Sequence, residues 1–291
     1  MHTRLTLFAF LIAFLATRSS SAQTTVSPSS FGFSNGAHPT FSFIFEGTDV
    51  KYVESYWRDE LKKISHSVAN KKEVVAAGAL IPQVSADTVR VLVKAEQRKG
   101  SPLLTAHVAI FTTTGYIGPN SEAKVYEAAQ AYVQQHSTAL RRQLAQQELT
   151  GGEKDLARLR TDLANLKREK ERAETSIEKS KQRAAEAVQE QERTKTELEE
   201  LATRIDAQRL EVASAPSEEA TKMLNGLLKD QTRMLEKNRK ALDTEHSMKK
   251  KADDLAFEVK KNVEEQTRKE TEIARQETLV NALREKLNAI H

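Results

Sequence analysis

The chain has 291 residues and a mass of 32.6 kDa, with 45 Lys and Arg against 41 Asp and Glu, no Cys, and 5% aromatic residues. A mean hydropathy of −0.58 with 30% charged residues excludes a polytopic membrane protein. The lack of Cys excludes disulfides, thiolate metal sites and cysteine nucleophiles. Few aromatic and many charged residues are typical of a disordered chain or of long helices, and the spacing of apolar residues decides between them.

Residues 1–22 have the pattern of a secretory signal peptide. Arg4 precedes an apolar run from Leu5 to Ala16, which as a helix would span about 18 Å, too short for a bilayer core of about 30 Å. Ser20 and Ala22 stand at the −3 and −1 positions of a small-residue cleavage site. We therefore expect export to the periplasm or the cell exterior, with an uncleaved anchor as the alternative. A lipoprotein is not expected, because no Cys follows the cleavage site.

Cleavage would also change the charge balance. Arg4 and Arg18 would leave with the signal peptide, so 43 basic and 41 acidic residues would remain. A difference of two charges is too small to predict a nucleic acid or an anionic membrane as partner. After signal cleavage, we expect no integral membrane span and no nucleic-acid partner. The expected partner is a protein whose identity the sequence does not reveal, and a second copy of the chain is one possibility.

Composition divides the remaining chain. Residues 23–40 are rich in Ser, Thr, Gly and Pro, which predicts a flexible linker. Of the thirteen aromatic residues beyond residue 22, twelve lie between Phe31 and Tyr132. We therefore predict a head domain over residues 41–119 and a different kind of structure from residue 120 onward.

The head is predicted to be a small α+β domain with the order β-α-β-β-β-α. The strands are expected at Phe41–Glu46, Glu73–Ile81, Val89–Glu96 and Leu103–Thr114, and the first helix at Asp49–Ile64. Capping residues are expected before both helices, namely Asp49 or Thr48 for the first and Asn120 or Ser121 for the second. The core is expected around Trp57 and the alternating Phe41, Phe43 and Phe45.

Residues 120–291 carry two long heptad registers. The spacing +3, +4 continues without a slip from Leu156 to Val212, and again from Leu224 to Ile290. Such length is typical of a coiled coil and not of a single amphipathic surface helix. The predicted core residues are Leu156, Leu159, Leu163, Leu166, Ile177, Leu198, Leu201, Ile205, Leu255, Val259, Ile273, Val280, Leu283 and Leu287.

Residues 214–217 interrupt the two registers, with Pro216 as the predicted hinge. Proline disfavours a helical residue before it but is compatible with the first turn of a helix. We therefore predict two coiled-coil arms, residues 120–213 and 218–291, that form an antiparallel hairpin. A parallel dimer that runs through a kink at Pro216 is the alternative.

Polar residues occupy several core positions of the registers. Lys170, Ser180, Gln191 and Thr194 stand on the first arm, and Asn238, Glu245 and Asn262 on the second. Buried polar layers lower stability but can define the register and the number of helices. A pairing of Lys170 with Glu245 is suggested by their charges, but their positions are offset from the register of direct hairpin partners. Direct pairing is therefore not expected, and extension of the Lys170 side chain to solvent is the alternative.

No motif predicts catalysis, a cofactor or a metal site. No two of the seven His have metal-ligand spacing, and His107 is expected to be a half-buried, hydrogen-bonded strand residue. Gly151-Gly152 lacks the remainder of a phosphate loop and is better explained as a kink between head and coil. Gly115 to Gly118 is better explained by turn chemistry than as a ligand loop. The chain is therefore not expected to be an enzyme.

Three features occur together in this chain: the signal-peptide pattern, a short head that carries Tyr56-Trp57-Arg58-Asp59-Glu60-Leu61, and a helix that runs from Tyr126-Glu127-Ala128-Ala129 into a Lys/Glu-rich coil. In these features the chain resembles a group of uncharacterised exported coiled-coil proteins of Bacteroidetes-type bacteria. The resemblance implies an envelope location and brings no known activity.

Two functions fit these patterns. The first is a non-catalytic exported envelope protein that acts as a coiled-coil scaffold, spacer or partner-binding module. The second is a periplasmic holdase-type chaperone that grips clients between its arms.

Overall fold

The computed structural model describes residues 26–291, and the predicted signal peptide lies outside these residues. The described residues form seven strands and three helices. The strands are β1 (Ser27–Phe33), β2 (Gly36–Glu46), β3 (Ser65–Asn70), β4 (Val74–Ala79), β5 (Val89–Gln97), β6 (Leu103–Thr112) and β7 (Gly115–Tyr116). The helices are α1 (Val50–Lys62), α2 (Ala123–Ser214) and α3 (Glu218–Asn288).

All strands belong to one antiparallel sheet in the order β1-β2-β6-β5-β4-β3, with β7 beside the end of β6. The fold is thus a small α+β head followed by a helical hairpin, as the sequence predicts. The head has more strands than expected, because β1, β3 and β7 were not predicted. Strand β3 (SHSVAN) has no apolar alternation, and it pairs with β4 at the sheet's end with only partial burial.

One face of the sheet carries the main core. The alternating residues Phe41, Phe43 and Phe45 face Trp57 of α1, and this confirms the predicted core. The side chain of Asp49 accepts a hydrogen bond from the Tyr52 backbone N–H at 2.7 Å, so Asp49 is the N-cap of α1. The first turns of α2 cover the same face, since Ala129, Tyr132, Val133 and Leu140 belong to this cluster.

The prediction of a flexible linker is wrong for its described part, residues 26–40. Val26 is buried, its N–H donates to the side-chain oxygen of Gln134, and its carbonyl accepts from the side chain of Gln130. Strands β1 and β2 then pair through a tight turn at Ser34-Asn35. Composition hid this hairpin, although an Asn-Gly dipeptide after the alternating Phe31 and Phe33 is a strong hairpin signal.

This hairpin covers the second face of the sheet. Strand β2 pairs with β6 only from Phe41 to Glu46, and β7 takes the place beside β6 beyond that point. The start of β2 therefore pairs with β1 alone and turns across the sheet. There Phe33 packs with Leu92 and Ala109, two residues of the central strands, so the head has a second small core.

At two positions in the head, a neighbouring side chain lies so close to the backbone that only glycine fits. Gly78 has φ +68° at a register shift in β4, and a Cβ there would lie 2.7 Å from the ring of His66. Gly118 packs against Pro39, where a Cβ would lie 2.8 Å from the proline ring.

Ser121 was predicted as a helix cap, but its hydroxyl accepts from the Gly118 N–H that precedes the helix. The Gly115–Gly118 segment thus serves the turn that leads from the sheet to α2.

Helix α2 continues through Gly151 and Gly152, so the expected kink there is not a break in the helix. The described chain divides into two units just beyond this pair, one that runs to Glu153 and includes Thr278–His291, and one that spans Lys154–Glu277. In the first unit, Arg284 and Lys286 bond the carboxylates of Glu153 and Glu148, each at 2.6 Å. The two helices therefore run antiparallel in this unit.

The second unit, Lys154–Glu277, is an antiparallel two-helix coiled coil. Arg160 pairs with Glu277 at 2.7 Å and Lys167 pairs with Glu270 at 3.7 Å, with one heptad between successive pairs on each arm. The chain reverses at 215–217, where Ser217 caps α3 by accepting from the Ala220 N–H at 3.0 Å. The hairpin is therefore confirmed over a parallel dimer through Pro216. No helix among residues 26–291 combines the length and apolarity that a membrane span needs.

Candidate functional site

All fourteen predicted core residues of the coiled coil lie on the inward side of the helices. Leu156, Leu201, Ile205 and Val280 are buried, and the other ten are partly buried. Leu201, Ile205 and Leu227 form a cluster between the arms near the turn. Pro216 lies exposed in the connection between α2 and α3.

Four of the seven polar core residues, namely Gln191, Thr194, Asn238 and Glu245, meet in one hydrogen-bonded layer. Thr194 is fully buried, and its hydroxyl donates to backbone carbonyls one turn earlier and accepts from the amide of Asn238 at 2.8 Å. The Gln191 amide donates to the carboxylate of Glu245 at 2.7 Å. Each of these polar groups has a partner on the other arm, so the layer can define the register without an unsatisfied buried group.

Ion pairs flank this layer. Glu190 pairs with Lys237 across the arms, and Glu245 pairs with Lys249 one turn later in α3. The hydrogen bond from Lys249, followed by that from Gln191, holds the pKa of Glu245 below its usual value. The hydrogen bond from Lys237 does the same to the pKa of Glu190. Both carboxylates are therefore charged at neutral pH and serve as acceptors.

The Lys170–Glu245 pair does not form. Lys170 pairs instead with Glu174 on its own helix at 3.5 Å, while Glu245 is held by Gln191 and Lys249. The offset in register explains this, because Gln191 stands directly opposite Glu245 and Lys170 stands several turns away. Of the other polar core residues, Ser180 is buried, and Asn262 accepts from Gln266 of its own helix.

In the head, Ser42 and His107 form a buried serine–histidine pair. The Ser42 hydroxyl lies 2.8 Å from Nδ1 of His107, and the Nε2 atom lies 3.6 Å from the Glu96 carboxylate. The ring of Phe31 stacks on the imidazole at 4.2 Å between centroids. Burial lowers the pKa of His107, with Glu96 opposing that effect. Because Ser42 is 6% exposed and His107 7% exposed, the pair is a packed element of the second core and not an open nucleophile.

A second histidine, His136 of α2, lies among aromatic rings of α1 and α2. Its Nδ1 atom is 3.2 Å from the Tyr56 hydroxyl, and its ring lies 5.0 Å from Trp57 and 4.6 Å from Tyr132. Burial lowers the pKa of His136 and raises that of Tyr132 to about 12. A neutral imidazole and protonated phenols are suited to packing between the two helices. The spacing of apolar residues did not predict this contact, because His136 belongs to no sequence motif.

The head also has a shallow, open cleft of about 470 Å³ beside the start of α1. The carboxylate of Asp49 lines it but is engaged as the helix cap. The other lining residues are Gly47, Thr48, Tyr52, Gln97, Pro102, Leu144 and Gln147. The cleft offers no second charged group with which to bind a ligand. Among residues 26–291, no three His, Asp or Glu side chains are grouped so that they could hold a metal ion.

Comparison with known proteins gives a likeness to solved coiled-coil structure alone. No family model matches the chain. No curated protein matches it either. Among solved structures, a coiled-coil segment of Pyrococcus yayanosii Smc matches at 21% identity and a TM-score of 0.24, over 55% of this chain and 68% of that chain.

Proposed function

We propose that the protein is a non-catalytic, exported envelope protein that acts as a coiled-coil scaffold, spacer or partner-binding module. The observation that carries this proposal is the continuous seam of the Lys154–Glu277 unit, in which one chain supplies both arms. Each arm has about 60 residues, so it spans about 90 Å at 1.5 Å per residue. Such an element separates or presents other groups.

The side-chain contacts across the seam define one register of the two arms and therefore one length of the hairpin. The Thr194–Asn238 and Gln191–Glu245 contacts would be lost if either arm slipped by one heptad. A polar layer of this kind discriminates against shifted pairings at some cost in stability. A spacer needs this property, because a slipped hairpin would change its length.

The non-catalytic part of the proposal is supported by the packing of the head. Its serine–histidine pair lies under the ring of Phe31, and its second histidine lies between two helices. Both histidines are therefore covered by neighbouring side chains. Export and the envelope location rest on the signal-peptide pattern and on the resemblance to exported coiled-coil proteins.

Cell fractionation of the natural producer, followed by mass spectrometry of the N-terminus, tests export. We expect an envelope or extracellular protein whose first residue is Gln23. A protein that keeps Met1 and stays in the cytoplasm would refute this part of the proposal.

The chaperone alternative is tested by light scattering from an aggregating client protein. A holdase must expose apolar surface between its arms, whereas here the seam is filled by the arms themselves. We expect no suppression of aggregation at equimolar protein. Suppression that is lost when the arms are cross-linked to each other would favour the chaperone.

A further inference from the structure

One edge of the Lys154–Glu277 coiled coil changes character along its length. Toward the ends of the unit, this edge is crossed by the ion pairs Arg160–Glu277 and Lys167–Glu270. Continuing the same register by whole heptads toward the turn brings Lys195 beside Leu242, Ala202 beside Leu235 and Arg209 beside Leu228. In this half the ion pairs are replaced by pairs with at least one apolar member.

The apolar residues on this part of the edge form a stripe that Lys195 and Arg209 interrupt on α2. We call it the apolar edge: Val188, Ala202, Leu228, Leu235 and Leu242. Leu235 is 55% exposed, Leu242 is 50% exposed and Val188 is 38% exposed. Leu228 and Ala202 are partly buried beside the Leu201–Ile205–Leu227 cluster. These residues stand one position beyond the seam, so the hairpin itself cannot cover them. An apolar row beside a filled seam is the pattern of a helix that packs against a second surface.

The charges beside the apolar edge differ between the two arms. The next outward row on α2 carries Glu192, Glu199 and Asp206, and the corresponding row on α3 carries Arg239 and His246. Among the described residues, Glu192, Glu199 and Arg239 form no ion pair, whereas Asp206 pairs with Arg209. The edge is therefore flanked by three carboxylates on the α2 side and by a single arginine, Arg239, with His246 on the α3 side.

We propose that the apolar edge binds the same edge of a second copy of this chain, with a two-fold axis parallel to the helices. This rotation places α2 of one copy against α3 of the other, so that Glu199 lies at the level of the partner copy's Arg239. A two-fold axis perpendicular to the helices would place α2 against α2 and bring the carboxylates of the two copies together. The Glu199–Arg239 match, made twice by the symmetry, favours a second copy in this orientation.

The size of the surface predicts a modest affinity. The apolar edge covers about 20 residues of each arm, which is about 30 Å of helix, and two helices side by side are about 20 Å wide. About 600 Å² per copy would be covered, against about 800 Å² per partner in a standard interface. Lys195 and Arg209 stand in the stripe and must extend their charged ends to the rim. We therefore expect a dimer that forms with rising concentration, in addition to any scaffold role.

Sedimentation of the purified protein over a range of concentrations tests the association. We expect the weight-average mass to rise from monomer toward dimer, and the double variant Leu235→Glu, Leu242→Glu to remain a monomer. Phe257→Glu is the matched control, because Phe257 is 59% exposed and faces away from the seam. It should associate as the natural chain does. If far-UV circular dichroism shows that the double Glu variant has lost helix, the double Ala variant replaces it with the same expectation.

A natural chain that is monomeric at every concentration overturns the proposal, as does a double variant that still dimerises. Cross-linking tests the orientation, because the chain has no Cys and single cysteines can be introduced freely. A mixture of Glu199→Cys and Arg239→Cys proteins should yield cross-linked dimer with a short bis-maleimide, and Glu199→Cys alone should yield little. Efficient cross-linking of Glu199→Cys to itself would overturn the parallel orientation.

Discussion

The head and the coiled coil bury their apolar residues in different ways. In the head, Val53, Trp57 and Leu61 of α1 are completely buried in the core that α1 forms with the sheet and the start of α2. In the coil, most predicted core leucines are only partly buried, because two helices cover one side of each other and leave the flanks open. The head is therefore stabilised by contacts between residues far apart in sequence, and the coil by many small, repeated contacts. A single substitution should accordingly cost more in the head.

The largest effect is expected for Leu61→Ala. Truncation of a fully buried leucine removes apolar contacts and leaves a cavity, which lowers the free energy of unfolding by about 3 kcal/mol. Trp57 is the single tryptophan of the chain, so its fluorescence in urea reports on the head. Far-UV circular dichroism reports mainly on α2 and α3. We expect the fluorescence transition to move much further than the helical one, and equal shifts would argue against two differently built regions.

The matched substitution in the coil, Leu163→Ala, should cost less. Leu163 is partly buried, so about 1 kcal/mol of apolar burial is lost and the open flank prevents a closed cavity. The helical transition in urea should move and the Trp57 fluorescence should change little. A loss as large as that of Leu61→Ala would mean that the seam is as tightly packed as the head.

A decrease in pH should weaken the head selectively. Burial lowers the folded-state pKa of His107 and of His136, while Glu96 and Glu60 oppose the effect and Lys63 adds to it at His136. The unfolded chain then binds more protons than the folded chain below the unfolded histidine pKa of about 6.5. This contribution is complete above that pH and is lost as the pH falls from there through the lower folded-state pKa values of the two histidines. Urea transitions followed by Trp57 fluorescence should show the decrease, and the double variant His107→Gln, His136→Gln should flatten it.

The smallest effect is expected for Lys167→Ala at the edge of the coil. Both Lys167 and Glu270 are more than half exposed, so the pair contributes about 0.5 kcal/mol or less. Thermal unfolding followed by circular dichroism should show a shift close to experimental error, and a smaller one in high salt. A shift comparable to that of Leu163→Ala would show that charges, rather than the seam, hold the arms together.

The head shows where local patterns stop being informative. Alternation located β2, β5 and β6, and the apolar stripe with Asp49 located α1. Composition assigned residues 23–40 to a linker, because Ser, Thr and Pro outnumber apolar residues there. Yet Phe31 and Phe33 pack against Leu92 and Ala109, which lie about sixty or more residues away in sequence. Strand β3 likewise depends on β4 for its hydrogen bonds.

The sequence by itself determined the heptad registers, the reversal at Pro216 and the α+β class of the head, because each depends on the spacing of residues near one another in the chain. Only the tertiary structure decided that a Ser-rich segment folds over the second face of the sheet, that Gln191 and not Lys170 meets Glu245, and that both buried histidines lie in packed surroundings. The physical reason is that these features depend on which distant surfaces meet. A local pattern specifies what a segment can bury, and the assembled fold specifies against what it is buried.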